Sequence, residues 1–380
     1  MRDFIIIHDK LLEYGGAEVV LASLVKYRKP KAIICSCIRN KKSWEERYQT
    51  KIISPILTCF VNSQFLYKLF YPFIVLSCYL SGLALRYENA FFIVYSSSAG
   101  KYFVLPNYKN AFLYVNYHAK GLRNGRINFH RLSEFQILRN LLTQTQSLFV
   151  YFEDRMADRF KTIYAISSHA SQSLRHLKIF STTKAVGILH CPSIVLRKNR
   201  IEFDDKIFPF NDYYVLISRL QPEKNLEGLL DYLYVNTEVK IVIVGDGALI
   251  GVLRKKYPIK FFFTGFLEAS FKNEIISNAI AVFQPTTQEW SLVTVESNLM
   301  GIPVISASSS GLREINSTIS GSNDFPNLLY ESFFELQLLI GRLEFSRSFL
   351  RNNAERINWL FSEKLFHERI RDIEKLECNG

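Results

Sequence analysis

The stretch 285-PTTQEWSLVTVESNLMGIPVISASSSG-311 contains the pattern that decides the fold. It begins at the polar end of the apolar strand 280-IAVFQP-285, continues into a short run of helical spacing, and then enters a second apolar strand. A strand, a helix and another strand in this order form a parallel βαβ unit. Because side chains that follow parallel strands gather at one edge of the sheet, we expect Gln288, Glu289 and Glu296 to crowd its mouth.

The same alternation runs through the second half of the chain. Short apolar strands are predicted at 213-YYVLIS-218, 240-KIVIVG-245, 260-KFFFTG-265, 280-IAVFQP-285 and 302-IPVISA-307, with helices near 225–235, 247–256, 270–278 and 293–300. In the first half, 4-FIIIH-8 predicts a strand, which is followed by a glycine turn and a helix over 15–27. This alternation predicts an α/β protein with parallel, doubly wound sheets.

The length favours two domains, because a chain of 380 residues exceeds what one core usually holds. We predict an N-terminal Rossmann-like domain over 1–196, a polar linker over 197–212 and a C-terminal Rossmann-like domain over 213–345. The amphipathic segment 346–380 predicts C-terminal helices that return to the N-terminal domain. Ligands of open parallel sheets bind beyond the carboxyl ends of the strands, so two such domains predict a cleft between them.

Positive charge is concentrated in the first half. Residues 1–200 carry 29 Lys and Arg against 11 Asp and Glu, a balance of +18, whereas residues 201–380 carry 18 and 24, a balance of −6. This asymmetry predicts an anionic partner, which could be a membrane surface, a lipid phosphate or a nucleic acid. A generally basic, solvated face is the alternative. Nucleic acid is disfavoured, because clusters such as Lys26–Lys31 and Arg197–Arg200 lie in no nucleic-acid-binding signature.

Cysteine spacing and hydropathy address the cellular compartment. The six cysteines show no CxxC pairs, which predicts reduced, mostly buried thiols in a cytoplasmic protein without structural zinc. No signal-peptide pattern opens the chain.

The uncharged segment 69-LFYPFIVLSCYLSGLAL-85 lies at the short limit for crossing a bilayer. It favours a buried helix of the first domain, with a helix lying against lipid as the alternative.

Two cations follow the predicted strand 213–218. Arg219 and Lys224 lie on either side of a proline turn in 216-LISRLQPEKN-225. Two cations at a strand end could neutralise a diphosphate in place of a metal ion. The sequence contains no Asp-x-Asp metal motif, so we expect no divalent ion. Ordinary solvated surface charges are the alternative for each residue.

A helix that begins near Ser291–Val293 would point its free backbone N–H groups at the sheet edge, which creates an anion site. Glu296 is predicted in the first turn of this helix, where it could accept hydrogen bonds from ribose hydroxyls or simply interact favourably with the positive end of the helix dipole.

The pair Gly15 and Gly16 would allow a ligand close to the backbone, although glycine pairs are common in turns. His118 ends the apolar run 112-FLYVNYH-118 and could contact a sugar hydroxyl or be structural.

Taken in order, these motifs resemble a known family. The chain resembles retaining glycosyltransferase family 4, which has the GT-B architecture of two Rossmann-like domains facing a cleft. The matching motifs are 15-GGAE-18, Tyr117 and His118 with Arg123, 218-SRLQPEKN-225, 244-VGDG-247, 288-QEWSLVTVES-297 and the run GIPVI…SGLRE from Gly301. The first half is similar to a branch that includes mannosyltransferases for bacterial surface polysaccharide. In that branch a strand ends in Tyr-x-His-Thr-Pro, whereas this chain has Ala119 and Lys120 after His118.

The resemblance implies a role for each matching residue. Arg219 and Lys224 would hold the diphosphate of a nucleotide sugar, with the backbone at Ser291 and Leu292 completing the phosphate cradle. Glu296 would bind the ribose. From the first domain, Gly15 and Gly16 would approach the phosphates or the acceptor, and His118 would touch the donor sugar, with Arg123 as a further substrate contact.

The chain departs from the family pattern at one motif. The family usually has two glutamates separated by seven residues, and the alignment places Gln288 at the first position and Ser291 at a usual glycine. Glu289 comes one residue late, so in an extended segment it would face away from the site that Gln288 faces. An amide can bind a sugar hydroxyl but cannot stabilise developing positive charge, which predicts either reduced activity or an unusual donor.

The resemblance implies a metal-independent hexosyltransferase without cofactor. It would move a sugar from a nucleotide diphosphate sugar, with a GDP-sugar favoured, to a saccharide or lipid-linked acceptor in cell-surface polysaccharide synthesis, with retained anomeric configuration. The basic first domain would then associate with the inner face of an anionic membrane. The alternative is a non-catalytic nucleotide-sugar-binding or scaffolding subunit of a polysaccharide assembly complex.

Overall fold

A computed structural model describes most of the chain. The described residues are 2–84, 87, 90–104, 110–116, 151–152, 155–175, 186–193, 212–224, 226–284, 290–308 and 311–379. They form two compact units, the first comprising Met1–Pro192 with Phe366–Gly380 and the second Ser193–Leu365. Of the predicted site residues, His118, Arg123 and Gln288 lie outside the described residues, as does nearly all of the predicted linker.

The first unit is built on a seven-stranded parallel sheet among its described residues. Its strands are β1 (Asp3–Leu11), β2 (Ala32–Ile38), β3 (Ile52–Ile53), β4 (Ala90–Tyr95), β5 (Ala111–Val115), β6 (Thr162–Ala165) and β7 (Val186–Ile188). Its helices are α1 (Gly16–Tyr27), α2 (Lys41–Tyr48), α3 (Gln64–Leu69), α4 (Tyr71–Ala84) and α5 (Ser168–Arg175). The apolar run of β1 is buried throughout, as expected for a parallel strand covered on both faces.

In the second unit, the described residues form a six-stranded parallel sheet. Its strands are β8 (Tyr214–Ile217), β9 (Ile241–Val244), β10 (Phe261–Gly265), β11 (Val282–Gln284), β12 (Val304–Ala307) and β13 (Leu328–Tyr330). Its helices are α6 (Glu227–Asn236), α7 (Ile250–Lys256), α8 (Ala269–Ser277), α9 (Leu292–Leu299), α10 (Leu312–Ser320), α11 (Leu336–Ile340), α12 (Leu343–Asn352) and α13 (Ala354–Leu360). A final helix, α14 (Glu363–Asn379), begins in this unit and continues into the first.

Both sheets have the doubly wound order that the sequence predicts. The strand orders are β3-β2-β1-β4-β5-β6-β7 and β10-β9-β8-β11-β12-β13. Each chain path reverses direction once, between β1 and β4 in the first sheet and between β8 and β11 in the second. Ligands of doubly wound sheets bind outside the carboxyl ends of the strands at such a reversal. The order therefore singles out the loops after β8 and β11 as the place to look in the second unit.

Two predictions about helices are wrong. Glu296 is the fifth residue of α9 and so lies in its second turn, although the helix begins at Leu292 after the Ser291 cap, within the predicted range. The segment predicted at 69–85 contains α4, but α4 is not a buried helix: one face is buried, while Leu76 on the other is 53 % exposed. No helix among the described residues has the length and apolar character that a membrane span needs.

The turn after β9 fixes the loop after β8. Gly245 and Gly247 have φ of 141° and 156°, and a Cβ at either position would overlap a carbonyl oxygen, that of Ser218 or that of Leu220. The close approach is held by hydrogen bonds, since the Leu220 N–H donates to the Asp246 carbonyl at 2.9 Å. Only glycine fits such a position without strain, which explains the sequence 244-VGDG-247.

A buried network of asparagines holds the far end of α9. The side-chain amides of Asn298 and Asn327 exchange two hydrogen bonds of 2.8 Å, and Asn327 also donates to Asn316 at 2.9 Å. Asn327 further accepts from the Val304 N–H at 2.9 Å. Because an unpaired buried amide is costly, this network ties α9 and α10 to the strands β12 and β13 in one arrangement.

We expect Gly245→Ala to lower the free energy of unfolding by about 2–4 kcal/mol, since the change adds both backbone strain and a steric overlap. Gly251→Ala is the matched control, because Gly251 lies in α7 with open space around its Cβ position. The control should be neutral or should stabilise by up to about 1 kcal/mol through helix propensity. Urea unfolding of both variants tests this, and equal effects would contradict the packing described here.

Candidate functional site

The loop after β8 carries the two predicted cations. Arg219 is exposed and lies between Ser218 and Leu220, the two residues whose backbones are fixed by the turn after β9. Lys224 ends a 3-10 helix, Pro222–Lys224, that begins at the predicted proline turn. Both residues therefore lie in the loop that follows the carboxyl end of the central strand β8, at the reversal of the sheet.

The loop after β11, the neighbouring strand, leads into the cap of α9. Ser291 is the N-cap, and its side chain accepts a hydrogen bond from the Thr294 N–H at 3.1 Å. The next two N–H groups, of Leu292 and Val293, have no acceptor within the helix because they belong to its first turn. The predicted helix start at Ser291 is confirmed, and with it a positive helix end at the same sheet edge as Arg219.

Gln284 fixes this cap, and the sequence reasoning missed it. Its Oε1 accepts hydrogen bonds from the hydroxyls of Ser291, at 2.6 Å, and Thr294, at 2.8 Å. All three side chains are buried. A polar residue at the end of the otherwise apolar strand 280-IAVFQP-285 was the available signal. The serine at the family's usual glycine is thus held by an amide that packs beneath it.

Glu296 is not a free carboxylate, because it forms an ion pair with Lys272 of α8. Lys272 Nζ lies 2.5 Å from Glu296 Oε2, and both side chains are largely shielded, with exposures of 19 % and 10 %. Lys272 was not predicted, since no motif singles it out in 269-ASFKNEIIS-277. A partner 24 positions away reaches Glu296 only through the packing of α8 beside α9.

The described candidates therefore fall into two groups. Arg219, Lys224, Ser291, Leu292 and Glu296 follow the adjacent strands β8 and β11 at one edge of the second sheet. Gly15 and Gly16 belong to the first unit, where Gly15 caps α1 in an extended conformation with φ −157°. An extended conformation does not require glycine, but a Cβ at Gly15 would lie 3.3 Å from Glu18 Oε2. Close packing against Glu18 is thus a structural reason for this glycine.

Glu18 contacts a buried histidine at the end of the apolar run of β1. His8 Nε2 lies 3.4 Å from Glu18 Oε1, and His8 Nδ1 lies 3.3 Å from the Tyr95 carbonyl oxygen. A carbonyl and a carboxylate can only accept, so both contacts are hydrogen bonds when both ring nitrogens carry a proton. His8 thus lies between β4 and the start of α1, within reach of both.

Asp9 organises the loop after β4. Its carboxylate accepts hydrogen bonds from the Ser96 hydroxyl at 2.5 Å and from the backbone N–H groups of Ser97, at 2.8 Å, and Gly100, at 3.0 Å. Burial alone would raise the pKa of Asp9, but the charge of Lys101 and the hydrogen bonds from Ser96 and Ser97 outweigh it and lower the pKa. Asp9 therefore stays ionised in the folded protein.

Among the described residues, no group of three or more His, Cys, Asp and Glu side chains could hold a metal ion. The candidate site of the second unit instead offers cationic side chains and backbone N–H groups. These donors suit an anion with several oxygens, such as a diphosphate.

The comparison with protein families supports this chemistry. Residues 198–320 match the family model described as glycosyl transferases group 1, and the match includes Arg219, Lys224, Ser291 and Glu296. Among curated proteins, no sequence matches this chain.

Solved structures resemble the chain over nearly its whole length. HepE from Anabaena, solved with UDP and glucose, has a TM-score of 0.70 at 17% identity and covers 98% of this chain and 99% of its own. Sucrose-phosphate synthase from Thermosynechococcus elongatus has a TM-score of 0.69 at 14% identity and covers 100% of both chains. The lipopolysaccharide outer core galactosyltransferase WaaB has a TM-score of 0.62 at 14% identity and covers 97% of this chain and 98% of its own.

The fold is GT-B. At these identities the likeness establishes the fold alone, and it agrees with the predicted pair of parallel-sheet α/β domains. The match over residues 198–320 and the GT-B fold together support a glycosyltransferase.

We expect Lys272→Ala to lower the free energy of unfolding by about 1–3 kcal/mol, because it leaves the shielded Glu296 carboxylate without its cation. Lys256→Ala is the matched control, since its pair with Asp231 is exposed and screened by solvent, so that its loss should have a much smaller effect. Chemical denaturation of both variants measures the difference. Equal losses would show that the Lys272–Glu296 pair behaves as a surface pair.

Asp9→Asn should destabilise the protein by about 2–4 kcal/mol at neutral pH, since a buried, hydrogen-bonded carboxylate is lost. The pKa of Asp9 is lowered from its ordinary value of 3.8 on folding, so its contribution is complete above that pH and is lost as the pH falls through the lower folded value. The difference between wild type and variant should therefore shrink below that pH. The exposed Asp372→Asn serves as control, and a constant difference across the acid range would contradict this explanation.

Proposed function

We propose that the protein is a retaining, metal-independent glycosyltransferase that uses a nucleotide diphosphate sugar. One observation carries the proposal: Arg219, Lys224 and the start of α9 follow adjacent strands at the reversal of a sheet whose residues match glycosyl transferases group 1. Such an edge provides fixed positive charge where a diphosphate leaves a sugar.

In the proposed reaction, the bond between the anomeric carbon and the diphosphate oxygen breaks as the acceptor oxygen bonds the same carbon from the same face. Because this attack retains the configuration in one displacement, no protein nucleophile is required. The acceptor proton moves to the departing phosphate. Arg219, Lys224 and the N–H groups of Leu292 and Val293 would stabilise the charge that develops on the diphosphate. Because these groups are positioned before the reaction, little reorganisation is needed.

We assign Glu296 to the ribose hydroxyls of the donor. Lys272 contacts one of its carboxylate oxygens, Oε2, at 2.5 Å, and the assignment gives the hydroxyls to the other, Oε1. The pair orients the carboxylate before the donor arrives. In this assignment Lys272 is a positioning residue that acts through Glu296.

The remaining assignments follow from the family resemblance. Gln288 and His118 would contact the donor sugar, Arg123 would contact a substrate, and Gly15 and Gly16 would lie near the phosphates or the acceptor. For the acceptor we propose a saccharide or lipid-linked saccharide of surface polysaccharide synthesis, in line with the lipopolysaccharide role of the similar WaaB. The similar HepE binds UDP, so the donor panel must contain UDP-sugars as well as GDP-sugars.

We expect Arg219→Ala/Lys224→Ala to abolish donor binding in calorimetric titrations with UDP- and GDP-sugars. Each lost charge-assisted contact should cost about 1.5–3 kcal/mol, or roughly tenfold or more in affinity. The control Lys255→Ala/Arg356→Ala removes two exposed cations of the same unit that lie on α7 and α13, and it should bind as wild type does.

Normal binding by the double site variant would refute the assignment. If the wild type binds a donor but shows neither sugar transfer to any acceptor nor donor hydrolysis, the result would favour the non-catalytic alternative. Retained configuration is checked separately by the anomeric signal of the product in nuclear magnetic resonance spectra.

A further inference from the structure

Helix α4 has an inner face that is packed unusually closely. Tyr71, Ile74, Cys78 and Gly82 are buried on this face. A Cβ at Gly82 would lie 2.5 Å from the Phe103 carbonyl oxygen in the 3-10 helix Ala99–Val104, so the two backbones are nearly in contact. This packing fixes which side of α4 turns outward.

The outward face of α4 is also apolar. Phe73, Leu76, Tyr79, Leu80 and Leu83 are between 36% and 53% exposed, and their spacing places them on one side of the helix. The helix contains no charged residue. A helix that is apolar all round normally lies in a protein core or in a membrane, and α4 lies in neither within this fold.

The apolar surface extends beyond α4. Phe60 is 42% exposed, and its ring lies 5.0 Å from that of Phe70 and 6.1 Å from that of Phe73. Ile56, in the short 3-10 helix that follows β3, is 87% exposed. We call the outward residues of α4 together with Ile56, Phe60 and Phe70 the apolar patch. Contiguous exposed apolar surface of this kind marks an interaction site.

The charged residues from position 51 to position 87 all have the same sign. From Lys51 to Tyr87 the sequence contains three cations, Lys51, Lys68 and Arg86, and no acidic residue. Chance would supply several acids in such a stretch, since 22% of the chain is charged. Apolar side chains flanked in the sequence by cations match the lipid tails and anionic headgroups of a membrane surface.

We propose that the apolar patch inserts into the headgroup and upper acyl region of an anionic membrane, with the basic first unit facing the lipid phosphates. The 14 residues of α4 extend about 21 Å, which is shorter than the roughly 30 Å hydrocarbon core, so the helix lies in the interface and does not span it. Only the Tyr79 hydroxyl among these outward side chains can form a hydrogen bond. Lipid suits this surface better than a protein partner, because protein interfaces carry regular hydrogen bonds. The proposal does not depend on the donor site.

Co-sedimentation with vesicles tests the proposal. The full chain should bind vesicles of phosphatidylglycerol and phosphatidylcholine, should bind pure phosphatidylcholine much less, and should lose affinity in high salt. Leu76→Glu/Leu80→Glu should weaken binding to the anionic vesicles roughly tenfold or more. The matched control Val235→Glu/Leu338→Glu changes two residues of the second unit that are 76% and 73% exposed, and it should bind as wild type does.

Three results would overturn the proposal: equal binding to both vesicle types, no binding to either, or unchanged binding by the α4 variant. Melting temperatures of both variants verify that they are folded, and Leu76→Gln/Leu80→Gln replaces the glutamate variant if that one does not fold. Sedimentation velocity without lipid provides a further check. A dimer that Leu76→Glu/Leu80→Glu dissociates would assign the apolar patch to self-association instead.

Discussion

The carbonyl oxygens of Ser218 and Leu220 lie so close to the turn after β9 that positions 245 and 247 accept only glycine. This steric constraint holds two loops of the second sheet together at its central strand. Arg219 lies between the two carbonyls, so its backbone cannot move without disturbing the turn. The glycines, which bind nothing themselves, thereby position a cation at the sheet edge where ligands of doubly wound folds bind.

The other half of this edge is held by side-chain hydrogen bonds. Gln284 fixes the hydroxyls of Ser291 and Thr294 at the start of α9, and the buried asparagine network fixes the end of the same helix. Lys272 holds the Glu296 carboxylate from a neighbouring helix. A preorganised arrangement of this kind can stabilise charge on a leaving group without first having to be assembled.

Much of this could be predicted from local sequence. Apolar strands, a proline turn, a serine cap and a glycine turn are short-range signals, and they predicted the sheets, Arg219 and Lys224 at a strand end, and the start of α9. The pairing of Glu296 with Lys272 was not predictable, because it depends on how two helices pack. For α4 a buried helix was favoured and a helix lying against lipid was the alternative, because residues that are apolar on both sides do not let hydropathy distinguish inside from outside. The predictions for His118, Arg123 and Gln288 concern positions outside the described residues.

Hydrogen–deuterium exchange of the full protein with and without a nucleotide diphosphate sugar tests the central claim most directly. We predict slower exchange in the peptides that contain residues 216–224 and 290–296, because the diphosphate would bind the loop after β8 and the N–H groups that begin α9. Peptides from α12 and α13 should be unaffected. Protection confined to other parts of the chain, under conditions where binding is saturated, would contradict the account.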